Sequence, residues 1–208
     1  MARSVLATRR RLSAAERREL IEAAATEVFA EHGYRGASID AIVKRAGVTP
    51  PVFYDHFPSK QALHRRLLER HYDDLRAVWE RELPGPELAG VRIGRAFDAW
   101  FAYVEANPYA GRMLFRPTGD PALDAIHAEV TAASRNAALH VLTDEPGAEH
   151  LAGPEVELAW EVFRATLQGI ALWWLDHPQV PRARIVATAM NALWLGFERV
   201  RGGETWRG

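Results

Sequence analysis

The chain has 208 residues, of which 48% are hydrophobic and 25% charged, an ordinary balance for a globular protein with enough apolar material for a sizeable core. It contains no cysteine, which excludes disulfides and thiolate metal sites. No apolar run approaches the roughly 20 residues of a membrane-spanning helix, and the polar N-terminus is unlike a secretory signal, so we expect a cytoplasmic protein without a membrane partner.

The charge is unevenly distributed along the chain. Its net value is −1, but residues 1–60 hold ten Lys or Arg against seven Asp or Glu, so that a mildly basic first part precedes an acidic remainder. Such a distribution is compatible with an anionic partner of the first part, and equally with an ordinary solvated surface. Residues 1–12 are basic and have no periodic apolar face, so they are predicted to form a flexible arm.

Nearly every later segment has the apolar periodicity of an α-helix, and none alternates with the period of two that indicates a strand. The first helix is predicted to begin after Ser13, because Glu16 lies at the spacing of a capping box, and to end at Gly33. Two short helical pieces follow. A long helix is then predicted to begin at Ser59 and to end before Pro84, because proline lacks the backbone donor that a helix needs.

The remainder of the chain is also predicted to be helical, with proline-containing breaks between the helices. We therefore expect an all-α fold of about nine helices, in which a small three-helix head is followed by a larger helical bundle. The expected later helices span about residues 87–106, 108–115, 121–142, 154–177 and 181–201.

Residues 38–60, SIDAIVKRAGVTPPVFYDHFPSK, have the pattern of a helix-turn-helix, a motif whose second helix enters the major groove of DNA. Gly47 can supply the left-handed backbone of the turn. Thr49 can cap the second helix, and Pro50 is tolerated at its first position because the N–H that proline lacks would be unpaired there anyway. A shared core is expected for the apolar side chains of the motif, namely Ile42, Val43, Ala46, Val48, Phe53 and Phe57.

The segment GVTPPVFYDHFPSKQAL resembles the TetR family of transcription regulators. The shared pattern is glycine-valine, a short helix ending in tyrosine-x-histidine-phenylalanine, then a small polar residue, lysine and a leucine-rich long helix. AAATEVFAEHGYRGASIDAIVKRAGV matches the first two helices of the family, so the likeness covers about residues 13–70. Beyond these residues the likeness is one of helical architecture.

The resemblance implies a dimeric transcription regulator, by family default a repressor, that a small molecule releases from a double-stranded DNA operator. It implies a helix-turn-helix DNA-binding domain at residues 13–59 and a ligand-binding and dimerisation domain at 60–208. The arginines of the arm, Arg9, Arg10 and Arg11, could place charge in a neighbouring minor groove, or form only a solubilising tail. The alternative from another functional class is a helical adaptor that binds protein and has no affinity for DNA.

Individual DNA contacts follow from the resemblance, position by position. Tyr54 and His56 match family positions that hydrogen-bond phosphates, and Lys60 would add positive charge at the N-terminus of the long helix, where unpaired N–H groups already attract anions. Ser38 would cap its helix while the helix N-terminus faces the DNA backbone, and Lys44 could reach a phosphate from that helix.

The second helix of the motif departs from the family pattern. Pro50 and Pro51 stand where Lys or Gly is common, and the helix has no Arg, Asn or Gln, the usual readers of guanine and adenine. Base recognition is therefore expected from Thr49, Val52, Asp55 and DNA shape. The full set of predicted DNA-contacting residues is Ser38, Lys44, Thr49, Pro50, Val52, Tyr54, Asp55, His56 and Lys60.

Aromatic side chains are concentrated in the middle of the chain, and seven tryptophans is a high number for this length. A pocket lined by aromatic rings with a few polar groups would suit a flat or hydrophobic small molecule. The alternative is that these rings simply fill the core. The predicted lining residues are Trp100, Tyr103, Met113, Phe115, His127, Trp160, Phe163, Arg164 and Gln168, with Asn136 as a further polar candidate.

The last two long helices are predicted to form a homodimer interface. Small residues allow helices to approach closely, and two helices from each subunit could make a four-helix contact. The alternative is that the small residues pack inside one subunit. They are Ala165, Gly169, Ala171, Ala187, Ala189, Ala192 and Gly196.

No catalytic pattern stands out in the sequence. It has no G-x-S-x-G, no glycine-rich phosphate loop and no H-E-x-x-H. His64 and His71 share a helical face but lie seven residues apart, about 10 Å along the axis, which is too far for one metal ion. We therefore predict no enzymatic activity, no cofactor and no metal site.

Overall fold

The computed structural model describes residues 12–116, 120–121, 123–129, 131–132, 135, 153–196 and 199. Within these ranges the chain is helical and contains no strand, as the apolar periodicity predicted. The arginines of the predicted arm and Asn136 lie outside the described residues. The helices are α1 (Ala14–Gly36), α2 (Ile39–Ala46), α3 (Pro50–Tyr54), α4 (Lys60–Glu82), α5 (Ala89–Ala106), α6 (Pro108–Phe115), α7 (helical at 123–129 and 131–132), α8 (Pro154–Leu175) and α9 (Arg182–Ala189).

The start of α1 is the predicted capping box. The Ser13 hydroxyl accepts a hydrogen bond from the Glu16 N–H at 3.1 Å, and the Glu16 carboxylate accepts one from the Ser13 N–H at 2.7 Å. The regular helix breaks at Gly33, where φ is 66°, and one further helical turn continues to Gly36. The positive φ of Gly33 interrupts the α-helical hydrogen bonding, so the predicted end of the helix is a kink and the helix itself ends three residues later.

The start of α4 is also encoded locally. The Ser59 hydroxyl accepts from the Ala62 N–H at 3.0 Å, which caps the helix where the sequence predicts. The helix then continues for 23 residues, with Leu63, Leu67 and Leu68 fully buried along one side. It is therefore long enough to extend from the head into the larger bundle.

The last described helix contains a feature that the sequence did not predict. After Ala189 the chain forms a π-helical turn over Met190–Trp194. The Trp194 side chain lies against Gly90 of α5, where an added Cβ would come within 2.8 Å of the indole Nε1. The wider turn coincides with the burial of two consecutive large side chains, Leu193 and Trp194.

One continuous apolar core extends from the head into the bundle. In the head it includes Phe53 and Phe57, and in the bundle Phe101 and Trp174. Among the described residues, the buried polar side chains all lie on α1 and α4, where the head meets the bundle. These four residues are Glu22, Thr26, His64 and His71.

Candidate DNA-binding surface and ligand cavity

The helix-turn-helix is formed by α2, α3 and the turn between them. Ser38 caps α2 by accepting from the Ala41 N–H at 3.1 Å, and Gly47 has the left-handed φ of 67° that the turn was expected to need. Ile42 and Phe53 are completely buried, so the predicted core of the motif is confirmed. This core fixes which side of α3 faces outward.

The outward side of the motif carries the residues that were predicted to contact DNA. Tyr54 is the most prominent, with 56% of its surface exposed, while its ring lies edge-on to the buried Phe53 ring at 5.4 Å. The side chains of Val52 and His56 are half-buried. The exposed members of the set are Ser38, Lys44, Thr49, Pro50, Tyr54 and Asp55.

Thr49 occupies the N-cap position of α3, but its side chain makes no capping hydrogen bond. The reason is local, because Pro50 and Pro51 remove two of the backbone donors in the first turn. The expectation that the hydroxyl caps this helix is therefore wrong. The side chain is exposed on the outer surface of the motif.

Lys60 has a different environment from the one predicted. Its ammonium donates to the Tyr34 carbonyl at 2.8 Å and to the Ala37 carbonyl at 2.7 Å, and it lies 4.3 Å from the centre of the Tyr34 ring. Burial lowers its pKa. The side chain ties the start of α4 to the end of α1, so a phosphate contact would compete with two existing hydrogen bonds.

Arg45 is also held within the head. It contacts Glu31 at 2.7 Å and Glu27 at 3.5 Å, which braces α2 against α1. The Glu31 hydrogen bond raises the pKa of Arg45 and lowers that of Glu31. By contrast, Lys44 on the same helix is exposed.

An apolar cavity lies between α4, α5 and α8. The space between its walls, including the open mouth, is about 800 Å³. Six of the predicted lining residues are in its wall. The complete lining is Tyr72, Leu75, Trp79, Leu83, Ile93, Phe97, Trp100, Phe115, Thr131, Trp160, Phe163, Arg164, Leu167 and Gln168.

A more polar cavity adjoins the apolar one and shares part of its wall, including Arg164 and Gln168. It adds His127, as predicted, and two further arginines, Arg116 and Arg135. The Arg164 guanidinium donates to the Gln168 amide oxygen at 2.8 Å, so both are oriented at the boundary. The polar cavity also contains the carboxylates Asp124 and Glu161, and Glu161 is paired with Arg164. An apolar chamber thus adjoins a charged one in which arginines outnumber carboxylates.

Two residues of the predicted lining face neither cavity. Met113 is buried in the core, and the Tyr103 hydroxyl lies 2.6 Å from His71 Nδ1, away from the cavity wall. Conversely, sequence reasoning treated the apolar side of α4 only as core. That side supplies Tyr72, Leu75 and Trp79 to the cavity.

The outer faces of α8 and α9 carry an apolar stripe. On α8, Leu158, Val162 and Trp173 are 67%, 51% and 48% exposed, and Ala165 and Gly169 lie between them. On α9 and the turn that follows, the exposed members are Ala187, Ala192, Leu195 and Gly196.

Two of the small residues predicted for an interface are instead completely buried inside the subunit, Ala171 and Ala189. Ala171 lies two positions after Gly169, and successive helical residues are about 100° apart, so the two face nearly opposite sides. The prediction was therefore wrong for Ala171 and Ala189.

No helix in the described ranges combines the length and hydrophobicity of a membrane span. A sequence profile described as "Bacterial regulatory proteins, tetR family" matches residues 21–67, which comprise most of α1, the helix-turn-helix and the start of α4. The HTH-type transcriptional activator FasR of Mycolicibacterium smegmatis is 33% identical over 192 residues, covering 91% of this chain and 87% of that protein.

Two further proteins are similar to this chain. The HTH-type transcriptional repressor DhaR of a Mycobacterium species is 34% identical over 76 residues, 36% of this chain and 38% of that protein. The structure of FadR from Bacillus subtilis in complex with stearoyl-CoA has a TM-score of 0.70 at 20% identity, covering 90% of this chain and 99% of that one. This structural likeness shows a common fold.

Proposed function

The chain belongs to the TetR family of bacterial regulatory proteins. On that premise we propose that it is a homodimeric cytoplasmic regulator whose affinity for DNA is set by an amphipathic small molecule. The observation that carries the proposal is the placement of α4. Its first residue, Lys60, is bonded to the head, and its later residues Tyr72, Leu75 and Trp79 line the cavity. A ligand in the cavity therefore contacts the same helix that holds the DNA-binding head.

DNA contact is proposed for the outward side of the helix-turn-helix, with Tyr54, His56 and Lys44 on phosphates and Thr49 at a base edge or phosphate. Since α3 offers no side chain that reads guanine or adenine bidentately, these phosphate contacts and DNA shape would carry most of the affinity. The names of the similar proteins include an activator and a repressor. Repression by this chain stays a prediction, which a promoter–reporter assay would decide.

Replacing Tyr54 and His56 with alanine is expected to weaken DNA binding roughly tenfold or more and to make its salt dependence shallower, because each lost phosphate contact reduces the slope by about one. The measurement is fluorescence anisotropy on a duplex that the wild-type protein selects from a random pool, at two or more salt concentrations. Tyr109→Ala is the matched control, since Tyr109 is 44% exposed on α6.

Two results would contradict the DNA-binding proposal. If the wild-type protein selects no duplex and binds no random DNA at low salt, the protein-binding adaptor is the better interpretation. If the double variant binds as tightly as the control, then the DNA-binding surface lies elsewhere on the head.

The ligand is proposed to have a long apolar part and an anionic end. Aromatic and aliphatic side chains line the apolar cavity, while Arg116 and Arg135 line the adjoining one together with Arg164, which is paired with Glu161. Guanidinium groups bind carboxylates and phosphates by paired hydrogen bonds. The similar Bacillus subtilis protein was crystallised with stearoyl-CoA, which has both parts, so stearoyl-CoA is the probe of choice.

Stearoyl-CoA is expected to bind the protein and change its DNA affinity, whereas coenzyme A alone should do neither. Leu167→Trp fills the apolar cavity from a side chain that is 5% exposed, and should weaken stearoyl-CoA binding roughly tenfold or more. Leu88→Trp makes the same replacement at a position that is 82% exposed and should have no effect. Binding that is insensitive to Leu167→Trp, measured by calorimetry, would rule out this cavity.

A further inference from the structure

A polar seam joins the DNA-binding head to the bundle. Glu22 of α1 carries a carboxylate but is only 4% exposed. A buried carboxylate needs compensating partners, because transfer of an unpaired charge out of water is very unfavourable. Three arginines supply them, with Arg18 at 3.2 Å, Arg66 at 3.7 Å and Arg70 at 2.5 Å.

Arg70 connects this carboxylate to the bundle. Its Nη1 donates to Glu22 and its Nη2 lies 3.3 Å from His71 Nε2. Because a guanidinium can only donate, Nε2 accepts and the proton of the neutral ring is on Nδ1. Nδ1 then donates to the Tyr103 hydroxyl at 2.6 Å, and that hydroxyl donates to Asp74 at 3.2 Å.

The resulting series of hydrogen bonds crosses three helices. It begins at Glu22 on α1, passes through Arg70 and His71 on α4, and reaches Tyr103 on α5. Two residues of the cavity wall are close in sequence to members of this series. Tyr72 follows His71 along α4, and Trp100 lies three residues before Tyr103 on α5, so the wall of the cavity and the series occupy adjacent faces of the same two helices.

We propose that Glu22, Arg70, His71 and Tyr103 form a polar relay that positions α4 between the head and the cavity, with Tyr103 as the residue through which ligand occupancy is transmitted. The inference rests on the proposed ligand-responsive function. A ligand that separates α4 from α5 stretches the His71–Tyr103 hydrogen bond, which is short and directional. The ion pair of Arg70 with Glu22 then carries the displacement of α4 to α1 of the head.

A polar relay can transmit a displacement because hydrogen bonds are directional and exchange between discrete arrangements, whereas apolar contacts have no preferred direction. Coupling requires that the ligand favour one arrangement over the other. The Tyr103 hydroxyl has two available partners, His71 and Asp74, on successive turns of α4. It can therefore retain one partner while α4 moves relative to α5.

The test measures the coupling factor, defined as the ratio of the DNA dissociation constants with and without saturating stearoyl-CoA. We expect Tyr103→Phe and Glu22→Gln each to reduce this factor by at least about fivefold. For Tyr103→Phe, the separate affinities for DNA and for stearoyl-CoA should stay within about twofold, since Tyr103 lines neither cavity and is not in the head. Tyr109→Phe removes a hydroxyl elsewhere in the bundle and should leave the coupling factor unchanged.

The outcomes separate the relay from the proposed function. A normal coupling factor in both relay variants overturns the relay and leaves the ligand-responsive function intact. If stearoyl-CoA has no effect on the wild-type protein, the ligand proposal fails, and the relay is then measured by hydrogen exchange on DNA binding. DNA should alter amide protection of residues 97–106 in the wild type but not in Tyr103→Phe, and equal changes in both proteins overturn the relay.

Discussion

Acidification from pH 7 to pH 5 is expected to lower the free energy of unfolding by about 4 kcal/mol. Burial lowers the pKa of both His64 and His71 from 6.5 to about 4. The unfolded chain therefore takes up protons near pH 6.5, while the folded protein resists them until about pH 4. The stability is fully present above pH 6.5 and is lost as the pH falls through this window, and the loss amounts to about 2 kcal/mol for each histidine at pH 5.

The two histidines resist protonation for different local reasons besides burial. His64 lies between the rings of Phe29 and Tyr34, at 4.9 and 5.1 Å, and its Nδ1 has no hydrogen-bond partner among the described residues. Electrostatic repulsion from His127, when it is protonated, and from Lys60 lowers its pKa further. The charge of Arg70 lowers the pKa of His71 further, and the charge of Glu22 offsets this lowering only in part.

The measurement is urea unfolding of the wild type, His64→Phe and His32→Gln at pH 7, 6 and 5. His64→Phe should lose about half of the pH dependence, since a phenyl ring packs against aromatic neighbours and cannot take up a proton. His32→Gln removes an exposed histidine and should retain the full dependence. If His64→Phe shows the same loss of stability on acidification as the wild type, the assignment to His64 is wrong.

Sequence reasoning succeeded where the determining interaction is local. The caps by Ser13, Ser38 and Ser59 each join residues three positions apart, so both partners lie within one short stretch of the sequence. The left-handed Gly47 is similarly fixed by the turn around it. These short-range interactions position the helix-turn-helix, and they explain why its helices could be predicted from the sequence.

Sequence reasoning failed where partners are distant along the chain. Lys60 bonds to a carbonyl 26 residues earlier, and the partners His71 and Tyr103 are separated by 32 residues. Composition also does not distinguish a ring in the cavity wall from a side chain in the core. Phe115 and Met113 are both buried and two positions apart, yet only Phe115 borders a cavity.

Val162→Arg is expected to convert the protein into a monomer and to reduce DNA affinity by roughly 100-fold or more. Val162 is 51% exposed in the middle of the apolar stripe on α8, next to Ala165 and Gly169. In the proposed dimer this stripe packs on its copy in a second subunit, where two arginines would be buried close together. A single short recognition helix then lacks the second half-site that supplies most of the affinity.

The control is Val91→Arg, because Val91 is 56% exposed at the start of α5, outside the α8–α9 stripe. Sedimentation velocity gives the oligomeric state, and anisotropy on the selected duplex gives the DNA affinity. If the Val162→Arg protein is still a dimer, the proposed location of the interface on α8 is wrong. A monomeric variant with unchanged DNA affinity would show that one head suffices, and the dependence of recognition on dimerisation would then be wrong. If Val162→Arg loses both dimerisation and DNA affinity while Val91→Arg keeps them, the exposed stripe is required for DNA binding. The effect would then act through the dimer, since Val162 is in the bundle and lies outside the helix-turn-helix.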